Sequence, residues 1–112
     1  MKYNPEKYIN NLGDKLTHVG VDLDGCLAES LWPKPGIGKP IKNTVDFVNS
    51  LSLRGYKIII FTSRASVEYK DIKMWLDDHK IPFTWIHTGK PLMAAYIDDK
   101  NLYLPWLKGP EL

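Results

Sequence analysis

His18-Val19-Gly20-Val21-Asp22-Leu23-Asp24-Gly25-Cys26-Leu27 begins as a short apolar run and ends in two carboxylates one residue apart, followed by glycine. The run reads as a buried strand, about Thr17–Asp22, closed by a turn signal. Along an extended chain residues i and i+2 point to the same side, roughly 6–7 Å apart. A bend at Gly25 then lets Asp22 and Asp24 face one small volume at the strand's end. Two acids held so close repel, and a hard divalent cation offsets that repulsion. Asp and Gly are also common in solvated turns, so the pair alone decides nothing.

Downstream, Ala28 to Pro40 holds three prolines and two glycines, which prevent a helix or central strand. Leu31, Trp32 and Ile37 make this segment an ordered flap rather than a disordered linker. Pro40 suits the first turn of a helix over residues 40–54. There Ile41, Thr44, Val45, Val48 and Leu51 recur at three- and four-residue spacing, and Gly55 supplies the stop. Tyr56–Phe61 is a continuous apolar run rich in β-branched residues, a strand buried on both faces as in parallel sheets. Ser66 is the expected N-cap of a second helix, with Tyr69, Ile72, Trp75, Leu76 and His79 on one face and Ile81-Pro82 as its break. Phe83–His87 forms a third strand, Thr88–Pro91 a turn, and Ala95–Ile97 a short fourth strand ending at Asp98-Asp99. Upstream, a short helix is expected over Glu6–Leu12. The tail carries Tyr103 and Trp106 and is expected to cover a sheet edge or a helix.

This succession predicts an α/β fold: a small doubly wound, mostly parallel sheet with helices on both faces. A chain of 112 residues is read as one domain, 1–112, with a flap at about 28–40. A net charge of +2 and the lack of any dense Lys/Arg block argue against a nucleic-acid partner. No apolar run spans a bilayer, and the polar N-terminus shows no targeting pattern, so no membrane partner is expected. One cysteine, Cys26, excludes an internal disulfide and predicts a reducing, cytoplasmic setting. Cys26 reads as a small residue filling the turn, because Trp32 stands where a cysteine phosphatase needs arginine.

In open parallel sheets, sites form beyond the carboxyl ends of the strands. Asp22 and Asp24 follow strand one, Thr62 follows strand two, Lys90 lies beyond strand three, and Asp98 and Asp99 follow strand four. Together they offer acids for a cation, a hydroxyl and an ammonium, a set suited to phosphate. Mg²⁺ takes such oxygen ligands, whereas zinc would call for Cys or clustered His.

Val-Asp-Leu-Asp-Gly-Cys-Leu resembles the first motif of the haloacid dehalogenase (HAD) superfamily. Ile-Ile-Ile-Phe-Thr-Ser-Arg, Gly-Lys-Pro and Tyr-Ile-Asp-Asp resemble its second, third and fourth, in the family's order. Cys26 stands where many members have Thr. The resemblance implies a Mg²⁺-dependent hydrolase of small phosphorylated metabolites, a sugar phosphate or nucleotide, working through an aspartyl phosphate. In that reading Asp22 is the nucleophile and Asp24 the general acid and base. Thr62, with Ser63 beside it, and Lys90 bind the phosphoryl oxygens. Asp22, the Asp24 carbonyl and Asp98 hold the metal, and Asp99 is the less favoured ligand. The gaps between motifs leave no room for a cap domain, so the chain looks like a minimal, capless HAD phosphatase. Trp32, Arg64 and Asp99 are then candidate substrate contacts, and a homo-oligomer could cover the open site. Two other readings compete: a catalytically silent HAD-fold binding module, and a phospho-accepting receiver-like domain.

Overall fold

The computed structural model describes residues 17–91, 102 and 104–107. The helix expected at Glu6–Leu12, the strand at Ala95–Ile97, Tyr103 and the Asp98-Asp99 pair lie outside these residues. The elements run β1 (His18–Asp22), α1 (Lys42–Leu53), β2 (Lys57–Phe61), a 3₁₀ turn (Ser66–Glu68), α2 (Tyr69–Asp78) and β3 (Trp85–His87). The strands form a parallel sheet in the order β1-β2-β3, with Asp22 opposite Phe61 and Phe61 opposite His87. This is the small α/β architecture expected from the alternation of strand and helix patterns.

The central strand is buried more on one face than the other. Ile58 and Ile60 are inaccessible, whereas Ile59 and Phe61 are half-buried. Right-handed crossovers carry both α1 and α2 to the same face of such a sheet. Among the described residues the helices therefore cover one face rather than the two expected, and β2 is not buried on both faces as its apolar run suggested. The core joins Val21 and Leu23, Phe47, Val48 and Leu51 of α1, Ile58 and Ile60, and Ile72 and Leu76 of α2. Leu104 is buried in the same cluster, and Trp106 packs on α1. Its ring meets Phe47 edge-on at 6.3 Å, and its Nε1 donates to the buried Thr44 hydroxyl at 2.8 Å. No helix among the described residues is long and apolar enough to cross a membrane.

Several boundaries depart from the sequence expectation, each for a tertiary reason. Pro40 does not open the helix; it forms an antiparallel bridge with Ala28, and the Ile41 N–H donates to the Leu27 carbonyl at 2.7 Å. That bond holds Ile41 extended (φ −86°, ψ 105°), so α1 starts at Lys42. Ser66 is not a side-chain cap but the first residue of the 3₁₀ turn, and α2 begins only at Tyr69. The third strand is shortened to Trp85–His87, after the Thr84 N–H bonds to the Ile58 carbonyl at 2.7 Å.

Candidate functional site

After β1 the chain folds back within a few residues. The Leu27 and Ala28 N–H groups both donate to the Leu23 carbonyl, at 3.0 and 2.9 Å, and the Gly25 N–H donates to the Ala28 carbonyl at 2.7 Å. Gly25 sits at φ +77°, a left-handed conformation that would cost another residue about 1–2 kcal/mol. Leu23 is fully buried. Side chains alternate along extended backbone, so burying Leu23 turns Asp22 and Asp24 away from the core.

Asp22 is half-buried, and its Oδ1 accepts the Leu23 N–H at 2.9 Å. Burial raises its pKa above the usual carboxylate value. Lys90 and the Leu23 hydrogen bond pull it down, and the nearby Asp24 charge adds a smaller upward push. Burial, together with the Asp22 charge, pushes the Cys26 thiol up to about 12. A thiol held protonated is a poor nucleophile, which fits a packing role in the turn.

The loops after β2 and β3 are stitched together by backbone bonds that continue the sheet past its strands. The Thr62 N–H donates to the His87 carbonyl at 2.9 Å, and the Lys90 N–H donates to the Thr62 carbonyl at 2.9 Å. The Gly89 N–H donates to the Arg64 carbonyl at 2.9 Å. Lys90 is thereby folded back over β2, its Nζ 5.5 Å from the centre of the Phe61 ring. That ring stacks on His87 at 4.6 Å and stands in register with Asp22. Thr62 is buried, and its Oγ1 accepts the Arg64 N–H at 3.1 Å. Of the residues selected from sequence, the structure thus gathers Asp22, Asp24, Thr62 and Lys90 at the carboxyl edge of the sheet. Asp98 and Asp99 lie outside the described residues.

Arg64 is engaged by protein groups on all sides. Its Nε donates to Asp24 Oδ2 at 2.9 Å and its Nη2 to Asp24 Oδ1 at 2.9 Å. Its Nη1 donates to Glu68 Oε1 at 2.9 Å, and Nη2 also reaches the Gly36 carbonyl at 2.7 Å. This network holds the guanidinium charged and raises its pKa further, chiefly through the Asp24 hydrogen bonds. The flap is also tied down by the Trp75 indole, which donates to the Gly38 carbonyl at 3.2 Å. At its base the Glu29 N–H donates to the Lys39 carbonyl at 2.8 Å. Trp32 stands 87% exposed on the flap, and Ser63 is exposed beside Thr62. Between the flap and α2 runs a groove of about 470 Å³, with Ile37, Arg64, Glu68, Asp71 and Trp75 among its walls.

Sequence reasoning missed the Glu68 and flap-carbonyl partners of Arg64. The four-residue spacing of Arg64 and Glu68 across the 3₁₀ turn was the available signal for the first. Main-chain acceptors carry no such signal, because every residue has one.

No curated protein matches the chain, and no solved structure does. One family model does: PITM 1-3, LNS2 domain, over residues 19–110, which includes all four motif positions. This corrects the expectation of a minimal, capless HAD phosphatase family, since the LNS2 domain is a different family that shares the HAD-like fold. With most of its length matched, the chain belongs to the LNS2 domain family, a phosphatase-related domain of HAD-like fold.

Proposed function

We propose that this LNS2 domain hydrolyses small phosphomonoesters, with Asp22 as nucleophile and Asp24 as general acid and base. The observation that carries the reading is the stitching of the Thr62 and Lys90 loops beside Asp22, which brings an ammonium, a hydroxyl and a carboxylate to one edge. An Asp22 oxygen attacks phosphorus while the ester oxygen leaves, taking a proton from Asp24. Asp24 then accepts a proton from the water that attacks the aspartyl phosphate, releasing phosphate and restoring Asp22. Lys90 and the Thr62 hydroxyl offset the charge on the transferred oxygens, with Ser63 at hand for a further bond.

Among the described residues, Asp22 and the Asp24 carbonyl are hard oxygen donors of the kind Mg²⁺ takes. Asp22 is half-buried with one oxygen occupied by the Leu23 N–H, and the Asp24 carbonyl accepts no backbone bond among the described residues. Asp22, the Asp24 carbonyl and Asp98 are the proposed ligands, all hard oxygens. Bound there, the ion would neutralise charge between the carboxylates and the phosphate. The lone Cys26 supports a reducing compartment such as the cytoplasm.

The test is a panel of phosphate monoesters assayed with Mg²⁺ and with chelator, for the wild type and Asp22→Asn. Turnover that both interventions abolish is the expected result. A lasting aspartyl phosphate without turnover would instead mark a receiver-like domain. A second reading, a silent binding module, is favoured by one observation: Arg64 occupies both oxygens of Asp24. Saturable binding of a monoester with no product formed would establish it.

A further inference from the structure

Arg64 stands at the junction of three separate pieces of the chain. It holds Asp24 from the turn after β1, Glu68 from the 3₁₀ turn, and the Gly36 carbonyl from the flap. An arginine has five N–H donors in a rigid fork, and the four bonds here use most of them. The side-on grip on Asp24 engages both carboxylate oxygens, which fixes the plane of the group as well as its place. The second Nη2 bond, to Gly36, means that the flap and the Asp24 carboxylate share one donor nitrogen. A shift of the flap therefore moves the fork, and a shift of the fork moves Asp24. With its side chain only 18% exposed, this guanidinium is shielded from the screening that makes surface pairs weak.

We propose that Arg64 is a positioning residue that couples the flap to Asp24, so that the flap's seating sets how Asp24 meets the leaving oxygen. This rests on the phosphatase reading above. It differs from a role for Arg64 in gripping a second anionic group of the substrate, because the guanidinium is already committed to protein acceptors. Glu68 keeps the fork from swinging away when an Asp24 oxygen turns to the ester. In the proposed step no proton leaves Arg64; the proton on the leaving oxygen comes from Asp24 alone.

The test compares two esters that depend differently on Asp24. An alkyl phosphate needs its leaving oxygen protonated, whereas p-nitrophenyl phosphate releases p-nitrophenolate, which is stable without a proton. Arg64→Ala should raise the ratio of kcat on the aryl ester to kcat on the alkyl ester by about 10–10²-fold, within the range of a general-acid contribution. Arg64→Lys, which keeps the charge but not the fork, should restore that ratio only in part. Amide exchange across residues 30–39 should quicken in both variants. Circular dichroism shows whether each variant is folded, and the lysine variant carries the test if the alanine one is not. Equal losses on both esters, or a rise in KM confined to doubly charged substrates, would overturn the proposal. Unchanged flap exchange would overturn the coupling even if the kinetics shift. A wild type inert toward both esters, with the flap still loosened in the variants, would sink the phosphatase reading and leave only a structural clamp.

Discussion

Cys26 and Asp22 show how burial sets chemistry one residue at a time. The Cys26 N–H donates to the Leu23 carbonyl at 3.3 Å in the turn, and the thiol pKa is raised from 9.0 to about 12, first by burial and then by the Asp22 charge. The unfolded chain releases that proton near its ordinary value, whereas the folded chain resists until far higher pH. The stability that this thiol lends is therefore full below about pH 9 and is lost as pH climbs toward the folded value. Urea unfolding of the wild type and Cys26→Ala at about pH 8 and about pH 11 should show the wild type losing more stability across that span. Parallel losses would mean the thiol is not protected. At the opposite end of the turn, Asp22 combines a raised pKa with an ammonium neighbour. Its place at the carboxyl end of β1 was legible because an apolar run closed by Asp-x-Asp-Gly reads as a buried strand ending in a turn. The grip on Asp24 was not, since nothing in Thr62-Ser63-Arg64 says which carboxylate an arginine will meet.

At the level of elements, the flap is held by its ends and its backbone rather than by a core of its own. Gly38 is the tightest point. A Cβ there would run into the Glu29 carbonyl, and both are main-chain positions that cannot swing aside. Gly38→Ala should cost about 1–3 kcal/mol, the usual penalty of overpacking, and should loosen the bond from Trp75 to the Gly38 carbonyl. Thermal melts with tryptophan fluorescence read both effects; an unshifted melt would show that the loop base adapts freely. The helices were readable from periodicity, since Ile72 and Leu76 share a face. The burial of β2 was not: its continuous apolar run suggested two covered faces, whereas only Ile58 and Ile60 are buried. Nor was the start of α1, because Pro40 answers to Ala28 and Ile41 to Leu27, partners more than ten residues away. Local propensity favours Pro40 in a first helical turn, and long-range pairing overrides it. Phe47 was likewise absent from the expected helix face, though it is buried against Trp106.

Across the whole molecule, the described part of the tail joins the core through Leu104, which is buried in the cluster, and through Trp106, which packs against it. Trp106 donates to Thr44, a fully buried hydroxyl on α1. Trp106→Phe keeps an aromatic ring but withdraws the donor, and should cost about 1–3 kcal/mol, the range for a buried polar group left unpaired. Adding Thr44→Val should recover part of that loss in denaturant unfolding; strict additivity of the two changes would argue against the bond. The expected coverage of a helix by the tail is thus met at Trp106, and the family match reaches through this region to residue 110. The segment from Glu29 to Lys39 has a consequence of another kind. Its two ends are hydrogen-bonded to each other, and Gly36 and Gly38 are anchored to Arg64 and Trp75, so residues 30–35 lie outside these ties. Doubling the length of such a loop costs about 0.6 kcal/mol in closure entropy. The tip around Trp32 and Lys34 is therefore an exchangeable cassette, where evolution or an engineer can graft new recognition sequence without redesigning the scaffold beneath it.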